Sequence, residues 1–228
     1  MDANYRYKEE NLMKISDDIL RHHLKNVYFL IGTACGGKTT LAKELANKYG
    51  FIYFGEHYAE ANNEGWREFQ RLRKKEDESE DIDWEHYFNR EPLVYAESLK
   101  ESINEYNEFA LLEIVKLAQK ETVITDLLLP AEIAIKLAPY NRVASLLAMP
   151  DLIIQDYFKR ESHQPMLDFI NTLKDPEKIK DNVAHVLRIS NEEVINQTQE
   201  IGLFQHLRDN ESTIEKTLAL IEEHFGLI

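Results

Sequence analysis

Residues Gly32-Thr33-Ala34-Cys35-Gly36-Gly37-Lys38-Thr39 place two glycines, a lysine and a threonine at the spacing G-x-x-x-x-G-K-[ST]. Upstream lies Val27-Tyr28-Phe29-Leu30-Ile31, an unbroken apolar run of the kind that forms a central parallel strand buried on both faces. Downstream, residues 39–49 set Leu41, Leu45 and Ala46 against Lys43, Glu44 and Lys48, an amphipathic helix stopped by Gly50. Strand, glycine-rich turn and helix, in that order, is the context this spacing requires. Residues 51–54 then give a second short apolar run, which completes a βαβ unit and commits the chain to an α/β architecture with parallel pairing.

The same residues carry chemistry. Glycines let the backbone turn so that successive N–H groups surround a β-phosphate, Lys38 reaches the β- and γ-phosphates, and the Thr39 hydroxyl is a magnesium ligand. Gly32, Thr33, Ala34, Cys35, Gly36, Gly37, Lys38, Thr39 and Thr40 form the candidate nucleotide-binding set, with Mg2+ as its metal. The chain has no N-K-x-D guanine motif, which makes ATP the expected triphosphate, and no L-S-G-G-Q signature of transporter ATPases.

Further along, Thr122-Val123-Ile124-Thr125-Asp126 reads as a third strand ending in a carboxylate. Asp126 is therefore the second candidate at the metal, against the plainer reading of an Asp that begins a turn. Glu56 and His57 follow the second strand, at the edge where open α/β sheets place their ligands, and Glu56 is the candidate to take a proton from an acceptor hydroxyl. Residues 142–148 give a fourth strand cut off by Met149-Pro150, with Asp151 expected to cap the helix that follows. On that helix, Lys159 and Arg160 are candidates to close over the phosphates, Arg160 first. The competing view pairs Asp156 with Arg160 as a surface ion pair. Arg142 and Arg188 are reserves.

Other features are quieter. Residues 9–25 read as an amphipathic helix, residues 93–120 as a long one with Leu99, Ile103, Tyr106, Ala110, Ile114 and Leu117 on its apolar stripe. Residues 59–83 are polar and charged, too poor in apolar area to offset their ordering entropy. Residues 204–207 give a weaker fifth strand, and Ser212 with Glu215 reads as a capping box for the last helix, 213–225. Trp66, Trp84 and Tyr87 flank the charged segment as candidate lining of an acceptor pocket. Cys35, near a helix N-terminus, sits where a thiol pKa is lowered, but no neighbouring histidine makes it a nucleophile, and the eight histidines show no zinc-binding spacing.

At 228 residues the chain is expected to be a single domain, with an acceptor-binding insertion at about 59–120 and a lid at about 151–182. Forty-one acidic against 27 basic residues give a formal charge of -14, a field that repels polyanions and argues against nucleic acid as a partner. Phosphate binding survives that field, because a loop of N–H groups, one lysine and a metal act at close range. No apolar run approaches a membrane span and no secretory leader is evident at the N-terminus, so the expectation is a cytoplasmic protein with no membrane partner.

With loop, strands and lid candidates assembled, the chain resembles the P-loop kinases of small molecules, the group of nucleoside monophosphate kinases, shikimate kinase, gluconate kinase and chloramphenicol phosphotransferase. The resemblance is specific at the loop. It implies a three-layer fold with a five-stranded parallel sheet in the order 2-3-1-4-5, an acceptor-binding insertion after strand two and a basic lid after strand four. Leu146-Leu147-Ala148-Met149-Pro150, Tyr157-Phe158-Lys159-Arg160-Glu161 and Glu222-Glu223-His224-Phe225-Gly226-Leu227 also look like segments of bacterial P-loop proteins of uncharacterised function. The implied activity is transfer of the γ-phosphoryl group of Mg-ATP to a small acceptor, a nucleoside or nucleotide first. A nucleotide-binding regulatory module without transfer is the alternative. The insertion here is longer and more acidic than in the small members of that group.

Overall fold

Alternation along the apolar run 27–31 sets up two cores, one on each face of a sheet. The computed structural model describes residues 15–55, 58 and 83–228. Strand β1 (Val27–Gly32) is buried at every position. Val27, Phe29 and Ile31 enter one cluster, while Tyr28 and Leu30 enter the other. β3 (Val123–Thr125) and β4 (Val143–Ala148) flank β1 and are equally buried, with β2 (Ile52–Phe54) and β5 (Gln205–Arg208) outside them. The order is β2-β3-β1-β4-β5 and every pair is parallel, with Phe29 opposite both Thr125 and Val143. This is an α/β fold of the P-loop NTPase kind, and the strand order matches the one the kinase resemblance implies.

The described helices are α1 (Asp17–His23), α2 (Lys38–Tyr49), α3 (Trp84–Phe88), α4 (Pro92–Ala118), α5 (Ala131–Leu137), α6 (Pro150–Tyr157), α7 (Gln164–Ile170), α8 (Pro176–Ile201) and α9 (Ile214–Phe225). α2 and α9 cover one face through Leu41, Leu45, Ile221 and Phe225. α4 and α5 cover the other through Ala110, Ile114, Ala134 and Leu137. Three layers result, each apolar face removed from water at about 25 cal/mol per Å2.

A third cluster contains no strand residue. Phe88 of α3, Tyr95 and Ala96 of α4, Ile170 of α7, and Ile179, Val183 and Val186 of α8 pack together as a helical cap. Of the expected acceptor-pocket aromatics, Tyr87 packs against it and the exposed Trp84 touches its edge through Phe88. Trp84 stands edge-on to Tyr87 and Phe169, and Tyr87 edge-on to Tyr95. Arg90 lies over the rings of Tyr87 and Tyr95, at 4.1 and 4.6 Å from their centroids. Desolvation inside this cluster is the main reason the Tyr95 phenol is pushed far above its ordinary range. Trp66 lies outside the described residues.

Two expected caps are not formed. Helix α6 opens at Pro150, whose missing N–H costs nothing at the first helical position, so Met149 occupies the cap and Asp151 falls in the first turn. There its charge still suits the helix dipole. Before α9, the Ser212 hydroxyl donates to Asp209 Oδ1 and accepts the Asp209 N–H, at 2.8 and 3.1 Å. That engagement leaves Thr213 as the cap, accepting the Lys216 N–H at 3.3 Å. At the other end of the chain, the N-terminal helix is described only over α1, where Leu24 just beyond it is fully buried but Ile19 is 54% exposed.

Candidate functional site

The loop between β1 and α2 rests on the carbonyl of Leu146 in β4. A Cβ built on Gly32 would stand 2.1 Å from that oxygen, and one on Gly36 would stand 2.2 Å from it, so neither position admits a side chain. The Thr33 N–H donates to the same carbonyl at 3.1 Å. The Ala148 N–H in turn donates to the Thr33 hydroxyl at 2.8 Å, and the Ala34 N–H donates to Asn191 Oδ1 of α8 at 3.0 Å. Cys35 takes the left-handed conformation with φ 58°, which a residue with a Cβ rarely adopts.

Inside this frame Lys38 curls back over the loop. Its Nζ donates to the carbonyls of Thr33 and Gly32 at 2.7 and 3.3 Å, and the residue is 8% exposed. Thr39, one residue on, donates its hydroxyl to Asp126 Oδ2 at 2.5 Å, so the two expected metal residues meet although 87 positions separate them. Asp126 is fully buried. A carboxylate there requires hydrogen-bond partners, and Tyr53 of β2 supplies another by donating its hydroxyl to the two oxygens at 3.2 and 3.1 Å. A hydroxyl beside a carboxylate is a hard oxygen donor pair, and it fits Mg2+, which prefers a few such ligands together with water and phosphate oxygens.

Outside the loop, a pocket of about 320 Å3 opens where Gly37 and Thr40 begin α2. Lys159 and Arg160 after α6, and Arg208 from the end of β5, also line it. The expected Asp156–Arg160 pair does not form. Asp156 instead faces Lys159 at 3.6 Å and Arg208 at 3.5 Å, and among the described residues no carboxylate pairs with Arg160. The reason is local: the chain leaves α6 after Tyr157, so Arg160 is no longer one helical turn beyond Asp156. Arg142 precedes β4 and lies over the Tyr28 ring at 4.5 Å, at the opposite end of the strand from the loop. Arg188 is exposed on α8. Glu56 and His57 lie outside the described residues.

Cys35 lines the same pocket, although the residue is only 1% exposed. Burial pushes its thiol up, and the nearby Arg160 guanidinium offsets only part of that shift. The direction is opposite to the lowering expected at a helix N-terminus, and burial is its largest cause.

Three residues of this site escape the motif: Tyr53, Asn191 and Arg208. Tyr53 carries a weak signal, as a polar-tipped aromatic in a strand beside the one ending in Asp126. Asn191 and Arg208 reach Ala34 and Cys35 across 157 and 173 positions. No spacing rule links residues so far apart. A family model described as an AAA domain matches residues 27–110, the segment holding β1, the loop, α2 and β2. The match points to a P-loop NTPase-like, nucleotide-binding family. No curated protein matches the chain.

Proposed function

We propose that this P-loop protein is an ATP-dependent phosphotransferase that moves the γ-phosphoryl group to a small acceptor, with a nucleoside or nucleotide as the leading class. The observation that carries the reading is the pocket beside the loop, lined by Lys159 and Arg160 together with Gly37 and Thr40 at the start of α2. A triphosphate held by the loop would have those cations near the charge that develops on the transferring group. The amides of residues 35–37 hold the β-phosphate, Lys38 reaches the β- and γ-phosphates, and Thr40 stands at the first turn of α2 beside the chain of phosphates. Thr39 and Asp126 hold Mg2+, which when bound neutralises charge on the phosphate oxygens. Tyr53 keeps Asp126 in place. Arg160 closes on the transferring group, and Glu56 is the acceptor's candidate base. Positioning and electrostatics supply nearly all the acceleration, since phosphoryl transfer asks little covalent chemistry of the protein.

The decisive assay is ADP release over a panel of nucleosides, nucleotides and sugar-like alcohols, with Arg160→Ala beside the wild type. Acceptor-dependent turnover should appear with at least one class, and the variant should lose about a hundredfold in kcat while its KM for ATP moves only a few-fold. If no acceptor raises turnover above the water-only rate while ATP still binds, transfer is the wrong reaction. The second reading, for that case, is a regulatory module in which ATP occupancy sets the position of the lid and a protein partner senses it; the AAA-type match supports its nucleotide-binding part. That reading expects capture of a partner to change with nucleotide.

A further inference from the structure

We infer that Arg208 is a positioning residue for the triphosphate, acting through the Cys35–Gly36 peptide of the loop; the inference rests on the nucleotide-binding reading but not on transfer. The guanidinium of Arg208 is forked. One arm, Nη1, donates to the Cys35 carbonyl at 2.7 Å, and the other, Nη2, faces Asp156 Oδ2 at 3.5 Å. A planar group held on two sides cannot swing freely, which is the advantage of arginine over lysine at such a place.

What that hold does follows from peptide geometry. In a trans peptide the C=O and the next N–H point in opposite directions. Drawing the Cys35 carbonyl toward β5 therefore turns the Gly36 N–H the other way, and it points across the loop to the Thr33 carbonyl at 3.4 Å. This long contact is weak and leaves the amide available to an anion seated in the loop. The peptide needs an external hold because Cys35 sits at φ 58°. A glycine would accept that conformation without strain, whereas a residue with a Cβ tends to leave it, taking the carbonyl along. Arg208 opposes that relaxation. Its position at the end of β5, in register with Ala148 of β4 and with its carbonyl accepting the Met149 N–H at 3.2 Å, places it on the same sheet that supports Gly32 and Gly36.

The test is a double-mutant cycle on Mg-ATP affinity by calorimetry, with thermal melts of every variant. Arg208→Ala should weaken Mg-ATP about tenfold in the natural Cys35 background. In a Cys35→Gly background the same substitution should cost less than threefold, because glycine holds the left-handed conformation unaided. An equal penalty in both backgrounds would mean that the guanidinium works by touching the nucleotide itself, and the inference would be wrong. A lowered melting temperature with unchanged affinity would make Arg208 a brace for the fold alone and would overturn the inference equally. Should Arg208→Ala fail to fold, Arg208→Gln is measured in both backgrounds against the same thresholds. Wild-type protein that does not bind Mg-ATP would overturn this inference together with the nucleotide reading, whereas an acceptor panel without turnover leaves it standing.

Discussion

At the loop, backbone meets backbone: two glycines press on the Leu146 carbonyl, and the amides of Thr33 and Ala34 are tied to Leu146 and Asn191. At the helical cap, side chain meets side chain: Phe88, Tyr95, Ile170 and Val183 are held by apolar contact, with Arg90 laid over two tyrosines. Backbone contacts fix positions to tenths of an ångström and tolerate no added atom. Apolar contacts tolerate exchange among side chains of similar volume. Under the transferase proposal, the first kind of construction would suit a loop that has to hold the same triphosphate in every turnover.

The sharpest way to break this comparison is Gly36→Ala. A methyl group 2.2 Å from a buried carbonyl oxygen must displace β4 or the loop. The expected cost is roughly 3 kcal/mol of stability, with triphosphate binding lost, read by denaturant titration and calorimetry. Survival of binding would show that the loop is not fixed by its backbone. Phe88→Ala in the cap should cost a comparable ~3 kcal/mol, since it empties a buried aromatic site, yet leave ATP affinity within threefold. A large loss of affinity would mean that cap and loop are one unit. Lys38→Ala comes next. It removes a charge-assisted contact of ~1.5–3 kcal/mol, so triphosphate affinity should fall roughly ten- to a hundredfold while the melting temperature changes little. Unchanged affinity would sink the nucleotide reading.

The smallest expected effect is a pH dependence of the sheet half. Burial lowers the pKa of His206, whose Nε2 sits 3.1 Å from the Thr217 hydroxyl, below its ordinary value of 6.5, with Asp209 opposing the shift. Above 6.5 the folded and unfolded chains are both neutral there and the group contributes nothing. As pH falls below 6.5 the unfolded chain binds the proton first, so stability declines. Melting curves between pH 7.5 and 5.5 should show that decline in the wild type and a shallower one in His206→Gln. Identical slopes would place the pH sensitivity elsewhere.

The same contrast explains how much could be read from sequence. Loop, Thr39–Asp126 pair and sheet core were legible because their signals are local: eight consecutive residues, a strand that ends in Asp126, and apolar runs at 27–31 and 142–148. The Thr39–Asp126 contact follows once β1 and β3 are neighbours. The cap was not legible, since it assembles from α3, α4, α7 and α8, and no single helix shows what its apolar stripe will meet. Even α8 is hidden in the sequence, although Asp175 and Pro176 at its start and Gly202 at its end mark its limits. Polar residues inside its stripe obscure the period. Asn191 and Thr198 are buried there for contacts with the loop and the sheet, not for packing.

That helix runs unbroken from the cap to the sheet, and its consequence is mechanical. The buried contact between Thr198 and Ser145 of β4, 3.1 Å between hydroxyls, ties the C-terminal end of the helix to the sheet. At 1.5 Å per residue, Ile179 in the cap stands roughly 28 Å out along the shaft and Asn191 roughly 10 Å. A swing of about 5° that carries Ile179 by ~2.5 Å carries Asn191 by ~0.9 Å at the same rise per residue. The bond from the Ala34 amide to Asn191 spans 3.0 Å, so a displacement of that size is enough to open it. Any swing of the helix about that tie would thus reach the loop reduced to the scale of a single hydrogen bond.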